Sequence, residues 1–173
     1  MPNHCGNELT ITGPTEELKR FKEFAKSDEK DSEVLLELNK FESFLNKETM
    51  IHNPFAFSKN GYLWGTKWGC YEFEELKETD TSLQYIFLTA WGPYNANAAN
   101  AMAKAFPKLR FHLRYAEIGV EFCGEIVALD GKYYPEKSYC IKIGDSIEYN
   151  EETEKRIYKN GFDRFSHLLD ISG

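Results

Sequence analysis

The stretch Leu88-Thr89-Ala90-Trp91-Gly92-Pro93 reads as the end of a strand, a sharp corner and the first turn of a helix. An earlier stretch, Leu9-Thr10-Ile11-Thr12-Gly13-Pro14, repeats the pattern. Each copy puts glycine at the turn and proline at the expected first helical position, where a missing N–H is harmless. β-Favouring residues precede both copies and a helix-like run follows both. One strand–helix unit is therefore expected twice, with Trp91 marking the second.

Around the first copy, Leu9 and Ile11 alternate with Thr10 and Thr12, the pattern of a half-buried strand over 7–13. Pro14 opens a helix to about Lys26, with Leu18, Phe21 and Ala25 inward and Glu16 and Glu17 in the first turn, where the helix dipole favours them. Residues 33–46 contain Val34-Leu35-Leu36-Glu37-Leu38, readable as a strand or as a buried helical turn. Around the second copy, strands are expected over 70–76 and 83–91, the latter apolar on both faces as a central strand is. An Ala-rich helix over 95–106 ends at Pro107. A one-sided strand over 110–115 then alternates Phe111, Leu113 and Tyr115 with Arg110, His112 and Arg114.

Strand, helix, excursion, strand, strand, helix, strand is the order of an α+β, ferredoxin-like split βαβ fold. Its antiparallel sheet runs 4-1-3-2, with both helices on one face. A C-terminal β-hairpin and a short helix are added. Asp130-Gly131, between strand-like runs over 120–129 and 132–143, is a two-residue hairpin signal. Asn150, then Glu151, Glu152 and Glu154 ahead of Lys155, Arg156 and Lys159, predicts a surface helix over 150–159. The 173 residues suit a single domain over 1–173. It comprises a core over about 7–117, a long irregular insertion over 47–69 and an extension over 120–173.

Charge narrows the function classes. Lys and Arg total 21 against 28 Asp and Glu, a net charge of −7, which repels a phosphate backbone and argues against nucleic acid as a partner. No apolar run reaches the roughly 18 residues of a membrane span. Met1–Cys5 lacks the basic-then-apolar pattern of a secretory signal, and the cysteines at 5, 70, 123 and 140 are scattered. Reduced thiols and a cytoplasmic location are the expectation.

The topology brings chemistry to one place. The central strands run oppositely, so the Trp91 end of the sheet collects Asn3, His4, Lys67, Trp68, Trp91, Tyr94 and Glu117. Trp64, on the insertion, is a further candidate for that edge. Trp64, Trp68, Trp91 and Tyr94 offer stacking faces, Lys67 a point charge and Glu117 an acceptor. The N-terminus of the second helix points the same way. Such a set suits a small anionic, nucleotide-like ligand or a protein partner; the plainer reading makes the tryptophans core and Lys67–Glu117 an ion pair.

Met1-Pro2-Asn3-x-Cys5-x-Asn7-x-Leu9-Thr10, Trp64-Gly65-Thr66-Lys67-Trp68, Thr89-Ala90-Trp91-x-Pro93, Phe106-Pro107 and Tyr115-x-Glu117-x-Gly119-x-x-Phe122-x-Gly124 resemble the YubB ferredoxin-like domain family. The chain departs from that family's usual pattern at His4, where Trp is common, and at Gly69, where a polar residue is common. The resemblance implies a ferredoxin-like core and a setting on plasmids, phages or bacterial chromosomes, hence a bacterial host cytoplasm. It implies no activity.

The leading expectation is a non-enzymatic binding module, with a counter-defence role suggested by the setting. A second reading is an RNA-binding or RNA-processing protein using Arg110, His112 and Arg114. It is weakened by the acidic charge and by the lack of an RNP-type aromatic pattern. A third is a structural domain that forms homodimers. No catalytic set is expected: His4, His52, His112 and His167 are dispersed, and neither a P-loop nor a nucleophile elbow occurs. No metal and no cofactor are expected, because paired Cys or His spacings are missing.

Overall fold

The computed structural model describes residues 3–30, 32–45, 63–142, 147–150, 153, 155–158 and 165–172. Most of the insertion expected over 47–69 lies outside the described residues. Strand β1 (His4–Thr12) is followed by helix α1 (Thr15–Ala25) and a 3-10 segment at Leu38–Phe44. Strands β2 (Tyr71–Thr79) and β3 (Ser82–Ala90) lead to helix α2 (Ala96–Ala105) and strand β4 (Arg110–Glu117). Then come β5 (Phe122–Leu129), β6 (Lys132–Tyr133), β7 (Tyr139–Lys142), β8 (Ile147–Asn150), β9 (Lys155–Tyr158) and helix α3 (Ser166–Ser172).

The main sheet is antiparallel and runs β2-β3-β1-β4-β5-β6, with β7 also paired to β5. Its first four strands stand in the expected 4-1-3-2 order. β1 is bonded on both sides, Leu9 facing Tyr85 of β3 and Leu113 of β4. Side chains alternate across a strand. Leu9, Ile11, Phe87, Phe111 and Leu113 therefore join Phe21 of α1 and Met102 of α2 in one buried cluster. The inner stripe Leu18, Phe21 and Ala25 is buried as its spacing requires. Residues 33–45 of the ambiguous segment are neither strand nor α-helix. Glu37 N–H bonds Ala25 O, and the 3-10 segment buries Leu38 and Phe41 under the helices.

Several local expectations are corrected. Pro14 is the cap of α1 rather than its first residue, its carbonyl accepting from Glu17 and Leu18. Pro93 lies ahead of α2, which Asn95 caps by accepting from Ala98 N–H at 3.0 Å. The Asp130-Gly131 hairpin forms, both residues having positive φ (51° and 75°). Its return strand is broken by a 3-10 turn at Pro135–Lys137, since proline removes a ladder donor. The helix expected over 150–159 is a hairpin: β8 pairs with β9, and Asn150 Oδ1 accepts from Thr153 N–H inside the turn. The C-terminal helix is instead α3. It lies on the sheet face opposite α1 and α2, where Phe165, Leu168 and Leu169 bury against Ala116 and Cys123. None of the described helices is long and apolar enough to cross a membrane.

α3 needs small residues beneath it. A Cβ on Gly6 would stand 2.3 Å from the Leu168 carbonyl oxygen, so backbone approaches backbone there. Gly6→Ala is expected to lower the unfolding free energy by roughly 1–3 kcal/mol in urea titration. Earlier proteolysis within α3 should accompany the loss. Wild-type stability in this variant would show that α3 is not seated on β1.

Candidate functional site

The exposed large apolar side chains among the described residues are Trp68 (38%), Trp91 (43%) and Val120 (49%). Trp68 and Trp91 flank Lys67 at one end of the sheet. Lys67 Nζ lies 5.0 Å from the Trp68 ring centre and 4.8 Å from that of Trp91. Both distances are within cation–π range. Lys67 N–H bonds Ala90 O at 3.3 Å, which lays the 66–68 segment beside the end of β3. The Thr66 hydroxyl, buried, donates to Trp68 O.

Trp91 has φ 73°, a left-handed conformation that bulky residues rarely adopt. Trp91 N–H donates to Asn3 O at 2.8 Å. Below the corner, buried Asn7 donates from Nδ2 to Thr89 Oγ1 at 2.8 Å, and Thr89 donates to Gly92 O at 2.8 Å. The strained corner is thus clamped from two sides. Glu72 (φ 49°) and Glu121 (φ 58°) are also left-handed, and both are exposed. Three of the four left-handed non-glycine residues described therefore belong to this end of the sheet, and such strain clusters where a surface is used.

Not every candidate reaches the edge. Trp64 is 1% exposed; its Nε1–H donates to Asn39 Oδ1 at 3.1 Å and its carbonyl accepts from Asn95 N–H at 2.7 Å. It pins the returning insertion to the start of α2. Gly65 (φ 84°) follows it, and a Cβ there would stand 2.9 Å from Asn95 Cβ. Tyr94 is fully buried, its hydroxyl has no partner among the described residues, and burial holds its pKa well above the usual phenol value. Glu117 is 1% exposed and accepts from Gly119 N–H at 2.7 Å and Val120 N–H at 2.6 Å. Its carboxylate closes the β4–β5 turn and offers no acceptor at the surface. Asn3 contributes its backbone carbonyl to the edge.

Sequence reasoning missed Tyr71. Its hydroxyl bonds His4 Nδ1 at 2.8 Å, and its ring meets Trp68 with centres 6.2 Å apart. Burial is the main cause that lifts the Tyr71 pKa. Strand parity carried the signal, since Tyr71 pairs with Leu88 and His4 with Ala90 on one face of the sheet. The same parity sends the Cys5 side chain to the other face, so His4 and Cys5 do not converge. Burial, then Glu117 opposite, pushes the Cys5 thiol up. Among the described residues no three His, Cys, Asp or Glu side chains group to hold a metal.

Two residues of the basic stripe of β4 meet carboxylates. Arg114 pairs with buried Glu8, Nε lying 2.9 Å from Oε1. His167 of α3 reaches Glu8 Oε2 at 2.9 Å. His112 meets Glu125 at 2.8 Å. Two of the three residues of the stripe are thus met by carboxylates, while Arg110 is exposed.

An antiparallel 4-1-3-2 sheet with two helices on one face is a ferredoxin-like α+β domain. A family model described as "Ferredoxin-like domain in Api92-like protein" matches residues 65–160, more than half of the chain, and the chain belongs to that family. The family shown is thus the Api92-like one. Of the YubB resemblance, the ferredoxin-like domain is shown. The crystal structure of protein api92 from Yersinia pseudotuberculosis is similar to this chain at a TM-score of 0.57. Identity is 10%, over 83% of this chain and 99% of that one, so the likeness is one of fold. No curated protein matches the chain.

Two predictions follow from these contacts. Trp91→Ala and Trp91→Gly both remove the indole, but only glycine relaxes the left-handed backbone. In paired denaturation curves the Gly variant is expected to be about 1 kcal/mol more stable than the Ala variant; equal stabilities would mean that the corner is unstrained. For Glu8, burial favours the neutral acid, but Arg114 and His167 outweigh it and hold the carboxyl below its usual range. A carboxyl depressed by folding adds stability that is full above its unfolded value, about 4.3. That stability is lost as pH falls through the folded value. Glu8→Gln should start less stable at pH 7 and lack this part of the acid loss. Parallel acid limbs for the two proteins would remove Glu8 from the account.

Proposed function

We propose that the chain is a non-enzymatic binding module that engages a protein partner through the Trp68–Lys67–Trp91 edge. The observation that carries this reading is the pair of exposed indoles flanking one ammonium, Trp91 being seated on a left-handed backbone. Large aromatic side chains are costly to leave in water and dominate the energetics of interfaces. The Trp91 corner is bonded to Asn3 and, through Thr89, to Asn7, so its geometry is set before a partner arrives. Preorganisation of this kind reduces what binding must spend on ordering. Glu117 and Tyr94 being buried, the edge lacks much of the polar set that a nucleotide-sized ligand needs, which favours a protein over a small anion. A mobile-element setting in a bacterial cytoplasm, implied by the motif resemblance, fits a role in countering host defence.

The test is differential capture. Immobilised wild-type protein, Trp68→Ala and Trp91→Ala are exposed to bacterial host lysate. At least one protein is expected on the wild type and on neither variant. Equal retention by all three proteins would remove the edge as the contact surface.

A further inference from the structure

We infer that the partner presents a cationic side chain, an arginine or a lysine, to the exposed faces of Trp68 and Trp91. This rests on the reading that the edge binds a protein. The edge already holds a cation: Lys67 Nζ stands 5.0 and 4.8 Å from the two ring centres. An indole has two faces, each carrying the negative side of the ring quadrupole. With Trp68 38% and Trp91 43% exposed, much of that surface faces solvent. Lys67 is the chain's own occupant of a clamp built for positive charge. A guanidinium is planar and more weakly hydrated than an ammonium, so it competes well for such a surface.

Charge around the clamp agrees. The chain carries −7 overall. The residue after Tyr71, whose ring touches Trp68, is exposed Glu72. Exposed Glu121 follows Val120 in the turn where Gly119 abuts Asn3, the residue that holds Trp91 N–H. Exposed acidic residues thus occur at this end of the sheet at both the start of β2 and the β4–β5 turn. Such a field draws in a basic segment and repels an acidic one. Within this arrangement Lys67 acts as a competitor: removing its charge improves cation binding, whereas at an anion site it would abolish binding.

That opposite sign makes the test. The probes are the blocked tripeptide amides Ac-Gly-Arg-Gly-NH2 and Ac-Gly-Glu-Gly-NH2 at matched ionic strength. The readout is the indole N–H resonances of Trp68 and Trp91 in wild type, Lys67→Gln and Trp91→Ala. The buried Trp64 indole, bonded to Asn39, reports an intact fold in each. The arginine peptide is expected to shift both edge indoles, and the glutamate peptide neither. Lys67→Gln should bind the arginine peptide roughly threefold tighter, and Trp91→Ala should leave the Trp68 signal unmoved. Binding of the glutamate peptide that disappears in Lys67→Gln overturns the inference in favour of an anion site. No response to arginine in either wild type or Lys67→Gln also overturns it. If Trp-dependent capture from lysate persists in that case, the protein-partner reading survives with a different chemistry; if it is lost too, both fall. A wild-type dimer that Trp91→Ala dissociates would overturn the inference as well, giving the edge to a second copy of the chain.

Discussion

A primary amide inside the core governs the Trp91 end of this protein. Asn7 sits in the middle strand, fully buried, and its Nδ2 donates to Cys5 O at 2.7 Å and to Thr89 Oγ1 at 2.8 Å. Thr89 passes the restraint on to Gly92 O. Each such bond adds only about 0.5–1.5 kcal/mol, but breaking one strands a buried polar group and costs more. The strand end, the corner and the left-handed Trp91 therefore keep one arrangement. The exposed edge stands on a polar relay that fixes the corner beneath it.

The parts of the fold legible in the sequence are those where one physical rule acts alone. Alternation in Leu9–Thr12 and Phe111–Tyr115, the Ala-rich run before Pro107 and the Asp130-Gly131 turn each answer to local chemistry, and the sheet order follows from their sequence. Where two rules compete, the reading failed. Residues 150–159 satisfy helix pairing and capping, yet the Asn150 side chain serves a hairpin turn equally well. α3 is only seven residues long and relies on Gly6, Ala116 and Cys123, which are distant in sequence. A helix that short has no stability of its own to advertise.

The edge was half legible for a related reason. Strand direction brings Lys67, Trp68 and Trp91 together, and that much follows from topology. Whether an aromatic ring points inward does not. Trp64 and Tyr94 are core, and Glu117 spends its carboxylate on two backbone N–H groups of the following turn. The Glu117-x-Gly119 spacing, which also figures in the family resemblance, is thus a turn device in this chain. A ferredoxin-like frame shared with api92 at 10% identity is held by pattern rather than by particular residues, so whatever distinguishes this chain lies on its surface.

The placement of β1 has a consequence for the birth of the molecule. Of the described strands, β1 precedes its two partners β3 and β4 in the chain and lies between them, with Asn7 meeting Thr89 across 82 residues of chain. On the ribosome, residues 4–12 emerge well before β3 and β4, the strands they pair with. The apolar Leu9 and Ile11 must wait, exposed, until β4 has been synthesised. Topologies rich in such distant pairings fold slowly and leave sticky surface open in the interval. Thr10 and Thr12, which alternate with those side chains, and the highly charged helix that follows at once favour keeping the waiting strand in solution.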